Sequence, residues 1–340
     1  MISEGVRAAR FVRYRADGHF THGRQSKNMS NSKRENTAVQ RPTGVIGATG
    51  FVGGAVMRAL RDSGDDPISL VPRARAHDLA DNAKAKPGSV DGPVDPIFRR
   101  LDFFDAHTFA PAMNGLKRLF LMRPPAIGNV ERWVFPLLDV AVSAGVERIV
   151  FLSVAGAETR VYLPHAKIEA RLALLARRTE LKVGILRPGF FAQNLLTAYR
   201  EDIKHDDRLY VCAAAGKVAF VDTEDVGAVG ARALIDGSLD GKAVRLTGPA
   251  ALTFDDVAAL LSEALNRRIV YTRASIPGFF CHRVFHRGSG LLEAAIITAL
   301  HAGLRRGDAE AVSPELPEIL GRPTTPMAHV IARHVDAWRA

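Results

Sequence analysis

Gly47, Gly50 and Gly53 stand three residues apart within residues 43–56, TGVIGATGFVGGAV. Ahead of them, Val45 and Ile46 read as the end of a strand. Behind them, Phe51, Val52, Val56 and Leu60 read as the buried side of a helix. A strand that enters a helix through glycines turns backbone N–H groups outward at the helix start. That end carries partial positive charge and holds a phosphate. With no side chains in the way, a ligand can lie against the backbone itself. The chemistry this spacing serves is a pyrophosphate cradle, built from Gly47, Thr49, Gly50, Phe51, Val52 and Gly53.

Two further groups of residues bear on chemistry. A site that reads a free ribose diol carries an acid about 20 residues beyond the glycines. Residues 69–78 read SLVPRARAHD, with no acid at 71–76 and with Arg73 and Arg75 instead. An arginine's planar fork suits a 2′-phosphate, so NADP(H) is the expected cofactor and NAD(H) the open alternative. Arg73 is the candidate contact, although a solvated arginine after Pro72 reads the same way. Cys281, His282 and His286 suggest a metal, but HExxH is absent and no carboxylate nearby completes a set, so none is expected.

These residues need a scaffold. Apolar runs at 67–71, 96–104, 117–123, 147–153 and 182–188 read as strands following the first. Between them, residues 51–63, 130–144 and 165–178 read as helices, a short helix starts at an Asp105 cap, and 73–96 reads as a surface loop. The alternation predicts an α/β fold, a doubly wound parallel sheet, with a smaller α+β C-terminal substrate region. Beyond Pro188 come short strands, a helix capped by Thr223, another capped by Thr253, and a mostly helical end. The domain expectation is a leader over 1–42, a dinucleotide domain over 43–190 and a substrate-pocket region over 191–340, interleaved with the core.

Composition narrows the class. The net charge is +10, but residues 1–42 hold nine basic residues against three acidic ones, so +6 of it lies ahead of the first strand. That stretch lacks helix or strand periodicity and reads as a disordered leader, with Met29 an alternative start. A surplus confined to a tail argues against a nucleic-acid partner. No apolar run reaches the roughly 20 residues of a membrane helix, so no membrane partner is expected. Cys212 and Cys281, far apart, suit a reduced cytoplasmic protein. The expected partner is a small-molecule substrate; monomer and dimer both stay open.

The ordered segments GVIGATGFVGGAV, LDFFD, AGVERIVFLS, HAKIEARLALL, LRPGFFAQNL, FVDTEDVGAVGARAL and RLTGPAALTFDDVAALLSEAL resemble the NmrA-like group. This is a branch of the atypical short-chain dehydrogenases/reductases. It holds quinone- and azo-reductases, the festuclavine dehydrogenase type, and redox-sensing regulators that bind dinucleotide without turnover. The resemblance spans about residues 43–340 and implies a Rossmann-type fold. It implies that Asp102 meets the adenine with Phe103 beside the ring, and that Met122 and Arg123 pass beneath the nicotinamide. It implies that Lys167 grips the nicotinamide ribose, with Ser153 at the same edge. Pro188 and Phe190 turn across the nicotinamide, with Phe191 extending an apolar wall and Asn194 either orienting a carbonyl or capping a helix.

Short-chain dehydrogenases donate a proton from the Tyr of a Y-x-x-x-K pair, beside a charge that lowers its pKa. Here Tyr162 is one residue too far from Lys167, and Leu163 holds the tyrosine position. Tyr162 is a donor only if the loop bulges. His165 either fills a semi-buried place on the helix stripe or touches substrate. The catalytic candidates are therefore Lys167, Ser153, His165 and Tyr162. Two functions follow: an NAD(P)H-dependent oxidoreductase passing hydride to a small apolar acceptor such as a quinone, enone or imine, or a non-catalytic dinucleotide sensor. A quinone needs no dedicated tyrosine, because its reduced oxygens take protons from water.

Overall fold

The computed structural model describes residues 41–72 and 97–339. Residues 1–40 of the expected leader, and the loop 73–96 with Arg73 and Arg75, lie outside them. Six strands run through the first part of the sheet, with helices between most of them: β1 (Thr43–Ile46), β2 (Ile68–Val71), β3 (Phe98–Arg100), β4 (Arg118–Met122), β5 (Arg148–Leu152) and β6 (Lys182–Pro188). The chain then forms β7 (Arg208–Val211) and β8 (Lys217–Val218) before β9 (Ala243–Leu246) returns to the main sheet. The sheet order is β3-β2-β1-β4-β5-β6-β9, and every pairing is parallel. Strand order reverses between β1 and β4, the switch point where ligands of open α/β sheets bind.

Strand side chains alternate between the two faces, as the pleat requires. Leu119, Leu121, Ile149 and Phe151 join one apolar core, with Ile168 and Leu172 of the helix Pro164–Arg178. Phe120, Val150 and Leu152 join the other, with Val52 and Leu60 of the helix Phe51–Asp62 and Val226 and Val229 of the helix Thr223–Asp236. Burial on both faces explains the unbroken apolar character of these strands. A third core lies beyond the sheet around Tyr199, Phe220, Phe254 and Trp338. It uses the smaller pairings of β11 (Val270–Arg273) with β7, parallel, and β10 (Leu252–Thr253) with β8, antiparallel. Two arginines from the C-terminal segment reach buried carboxylates of the helix Thr223–Asp236 and its cap: Arg322 to Asp225 at 2.7 Å and Arg333 to Asp222 at 2.8 Å. Among the described residues no helix is long and apolar enough to cross a membrane.

Local differences from the sequence reading have identifiable causes. The helix expected over 130–144 is two helices, Val130–Trp133 and Phe135–Ser143, broken where Pro136 lacks an N–H. The strand expected over 96–104 ends at Arg100, because Asp102 starts a turn and its carboxylate accepts from the Phe104 N–H at 3.0 Å. Asp222, not Thr223, caps the following helix, its carboxylate accepting from the Glu224 N–H. Asp105 and Thr253 cap as expected, the latter through a reciprocal box with Asp256. Arg41 and Pro42, assigned to the leader, are bonded to the start of β4 through their carbonyls.

The glycine turn fixes where the first helix begins. Gly47 has φ +75°, and a Cβ there would lie 2.8 Å from Met122 Sδ. A Cβ on Gly53 would lie 2.1 Å from the Gly47 carbonyl oxygen. Gly53→Ala is therefore expected to cost about 1–3 kcal/mol. Urea denaturation reads this, and a loss below about 0.5 kcal/mol would show that the turn yields instead.

Candidate active site

The parallel register sets the C-terminal ends of β1, β4, β5 and β6 along one edge. Gly47, Arg123, Ser153 and Gly189 therefore follow their strands on the same side. The helix Phe51–Asp62 starts there with Gly50 as its N-cap, so no cap side chain occupies the first-turn amides, and no acid lies in that turn. Thr49, Gly50 and Phe51 are exposed at this helix start. A pyrophosphate fits a cradle of bare amides at a positive helix end.

Ser153 stands at this edge but is committed elsewhere. It is 2% exposed, and its hydroxyl donates to Glu169 Oε1. Arg187 holds the same carboxylate in a fork, Nε to Oε1 at 3.1 Å and Nη2 to Oε2 at 2.6 Å. The hydrogen bond to Glu169 raises the Arg187 pKa further above its ordinary value. The triad ties the end of β5, the helix Pro164–Arg178 and β6 into one rigid corner. Sequence reading missed Glu169 and Arg187. The available signal was an acid beside the apolar stripe of Ile168 and Leu172 and an arginine inside an apolar strand.

The other catalytic candidates are differently placed. Lys167 Nζ donates to Glu131 Oε1 at 2.6 Å, with both side chains about half exposed. That hydrogen bond holds the Glu131 carboxyl below its usual range. Tyr162 is 72% exposed, in the turn before Leu163 caps the helix and Pro164 opens it. His165 stacks on Phe151 with ring centroids 6.2 Å apart. Burial, and secondarily the Arg123 charge, push its pKa to about 4. Arg123 donates to the carbonyls of Pro124, Pro125 and Ile127, while burial lowers its own pKa.

Asp102 is half-buried beside the β3 end, and Phe103 turns into the core. The exposed neighbour is Phe104, edge-on to Trp133 at 5.0 Å. Pro188 pairs with Leu246 at the end of β6. Phe190 lies edge-on to Phe220 and to His301, each at 5.6 Å. His301, a residue the sequence did not flag, is buried and hydrogen-bonded to the Tyr199 hydroxyl, and its Nδ1 donates to the Ile297 carbonyl at 2.7 Å. Burial pushes its pKa to about 4. Asn194 belongs to the 3-10 turn Ala192–Leu196. Of the suspected metal residues, His282 is spent on buried Asp202, which also takes Arg287 at 2.6 Å. Among the described residues no cluster of three or more His, Cys, Asp or Glu side chains suits a metal.

A seven-stranded parallel sheet, reversed between β1 and β4 and opened by a glycine turn, defines a Rossmann-type α/β protein. Residues 43–284 match the NmrA-like family, and the chain belongs to it. The NAD(P)H azoreductase of Xenophilus azovorans is 26% identical over 298 residues, 87% of this chain and 99% of that protein. Quinone oxidoreductase 2 of Escherichia coli (strain K12) is 25% identical over 295 residues, 85% of this chain and 96% of that one. The crystal structure of Citrobacter sp. triphenylmethane reductase complexed with NADP(H) shares the fold, with a TM-score of 0.70 at 22% identity, covering 86% of this chain and 99% of that one.

His165 and His301 set the sign of an acid dependence. Each has a folded pKa of about 4 against 6.5 ordinarily, so the unfolded chain binds more protons between those values. Their stabilising contribution is full above pH 6.5 and fades as pH falls toward 4. The urea midpoint is expected to drop across that window, and to drop less steeply in His165→Gln. Equal slopes for wild type and variant would contradict the burial of a neutral imidazole.

Proposed function

We propose that the chain is an NADP(H)-dependent reductase that passes hydride to a small apolar acceptor such as a quinone, enone or imine. The observation that carries this is the open helix start at Gly50, at the switch point of a parallel sheet. The names of its relatives, an NAD(P)H azoreductase and a quinone oxidoreductase, support the same chemistry. Gly47, Thr49, Gly50, Phe51, Val52 and Gly53 hold the pyrophosphate. Asp102 meets the adenine, with Phe103 supporting that turn from the core. Lys167 exchanges Glu131 for the nicotinamide ribose, and Met122, Pro188 and Phe190 line the nicotinamide side. The preference for NADP(H) over NAD(H) rests on Arg73, which lies outside the described residues. When bound, the nicotinamide supplies the hydride.

The protein's own groups favour an acceptor that needs no dedicated acid. The Ser153 hydroxyl donates its hydrogen bond to Glu169, Tyr162 is exposed to water, and His165 stays neutral well below physiological pH. A quinone accepts hydride and takes its protons from water, so it suits this site better than a ketone does. The commitment of Ser153 also favours a second reading, dinucleotide binding without turnover.

The test follows nicotinamide absorbance with 2-methyl-1,4-naphthoquinone as acceptor, alongside direct titration of NADPH and NADH. NADPH is expected to bind more tightly than NADH and to be consumed. Binding without consumption across quinones, enones and imines selects the second reading. If neither dinucleotide binds, both readings are overturned. Lys167→Ala is expected to weaken NADPH binding about tenfold, the scale of one lost charged contact. An unchanged Kd would remove Lys167 from the site.

A further inference from the structure

Five aromatic rings close a circuit beyond the end of β6. Phe190 follows β6, Phe220 follows β8, and Phe254 opens the helix Phe254–Leu265. Tyr199 precedes the helix Arg200–Asp206, and His301 comes from the helix Leu291–Leu304. Each ring stands edge-on to the next, from Phe190 to Phe220, Phe254, Tyr199, His301 and back to Phe190. The centroids are 5.6–6.0 Å apart and the planes 84–89° apart. Edge-to-face is a geometry that the charge distribution of aromatic rings favours, so each ring sets the tilt of its neighbour. Tyr199, Phe220, Phe254 and His301 are buried, whereas Phe190 is half-buried. The circuit therefore presents one ring, Phe190, at the C-terminal end of β6.

His301 is the costly member. Burial pushes its pKa to about 4, and an apolar side chain would fill the space without desolvating two nitrogens. What the imidazole adds is direction. The Tyr199 hydroxyl donates to Nε2, and Nδ1 donates to the Ile297 carbonyl at 2.7 Å. Bonds at both nitrogens pin the rotation of the ring. Phe279 covers it as well, with centroids 4.9 Å apart. With both nitrogens engaged, His301 has no proton to offer a reacting oxygen. A fully hydrogen-bonded buried pair specifies one arrangement where apolar packing alone allows several. The arrangement specified here ends on Phe190.

We propose that Tyr199 and His301 are positioning residues for the acceptor: their hydrogen bond fixes the imidazole plane, the imidazole fixes the tilt of Phe190, and that ring selects flat acceptors by size. The proposal rests on the reductase reading and on Phe190 lining the nicotinamide side. Its readout is a ratio, kcat/KM for 2-methyl-1,4-naphthoquinone over kcat/KM for 2-methyl-1,4-benzoquinone, at saturating NADPH. A loss of folded protein lowers both values and leaves the ratio unchanged. Tyr199→Phe frees the imidazole to turn. It is expected to lower the ratio about fivefold, within the range over which an apolar pocket separates acceptors of different size, with the NADPH Kd unchanged. Phe190→Ala is expected to lower the ratio similarly. Adding Tyr199→Phe to Phe190→Ala is expected to change it no further, since Tyr199 acts through that ring. Tyr199→Phe with His301→Phe replaces both partners by apolar rings, so Tm at pH 7 is expected to hold while the ratio stays low. A wild-type ratio in either Tyr199→Phe or the Tyr199→Phe/His301→Phe protein, where Phe190→Ala lowers it, overturns the proposal and leaves the reductase reading standing. So does a further fall when Tyr199→Phe is added to Phe190→Ala. A wild-type ratio in Phe190→Ala removes Phe190 from the acceptor site and the proposal with it. No turnover of either quinone by the wild type also overturns the proposal, and the reductase reading falls with it only if enones and imines go unreduced too.

Discussion

The Gly47 carbonyl oxygen sits 2.1 Å from where a side chain at position 53 would begin, and that contact governs the rest of the site. It presses the first turn of the helix Phe51–Asp62 against the end of β1. The helix then starts at once, and its amides face the sheet edge rather than solvent at random. Met122 closes the other side, since its sulfur lies 2.8 Å from where a Cβ on Gly47 would stand. The end of β4 is thereby fixed beside the turn. A bare positive helix end, at the reversal in strand order, follows from one close backbone approach, one methionine side chain and the absence of three side chains.

Elsewhere in the fold, buried charges are arranged in pairs. Glu169 takes Arg187, Asp202 takes Arg287, Asp222 takes Arg333 and Asp225 takes Arg322. A buried carboxylate without a partner is costly, and each of these is tied to an arginine from a distant part of the chain. The pairs specify which segments meet. Arg322 and Arg333 bind the C-terminal segment to the helix Thr223–Asp236, while Arg187 locks β6 to the helix that carries Lys167. The side effect is chemical: Ser153 is drawn into the Glu169 pair. The edge keeps its amides, Lys167 and an apolar wall, and among the described residues offers no tyrosine poised to give a proton.

Much of this was legible in the sequence, for definite reasons. Three glycines at a strand–helix junction have few other uses, and strands buried on both faces leave continuous apolar runs, so the turn and the parallel sheet could be read directly. Asp105 and Thr253 were readable as caps because capping is local. What escaped depends on contacts far apart in the chain. Glu169 and Arg187 lie 18 residues apart and Tyr199 and His301 lie 102 apart, and no local pattern pairs them. Phe103 and Phe104 show the same limit. Both are phenylalanines after Asp102, and only the turn at Asp102 decides that the first goes inward and the second outward.

Whether the helix start at Gly50 holds a dinucleotide's pyrophosphate can be decided by one substitution. Gly50 has φ −94° and ψ 171°, which aspartate adopts freely, and a Cβ there meets only the Gly47 carbonyl at 3.4 Å. Gly50→Asp would cap the first-turn amides with its own carboxylate and set negative charge where the phosphates belong. Calorimetric titration of NADPH, with urea stability measured on the same samples, gives the answer. A pyrophosphate seated on these amides predicts affinity lower by about tenfold or more, with stability equal or higher. Unchanged NADPH affinity in a folded Gly50→Asp protein would contradict it.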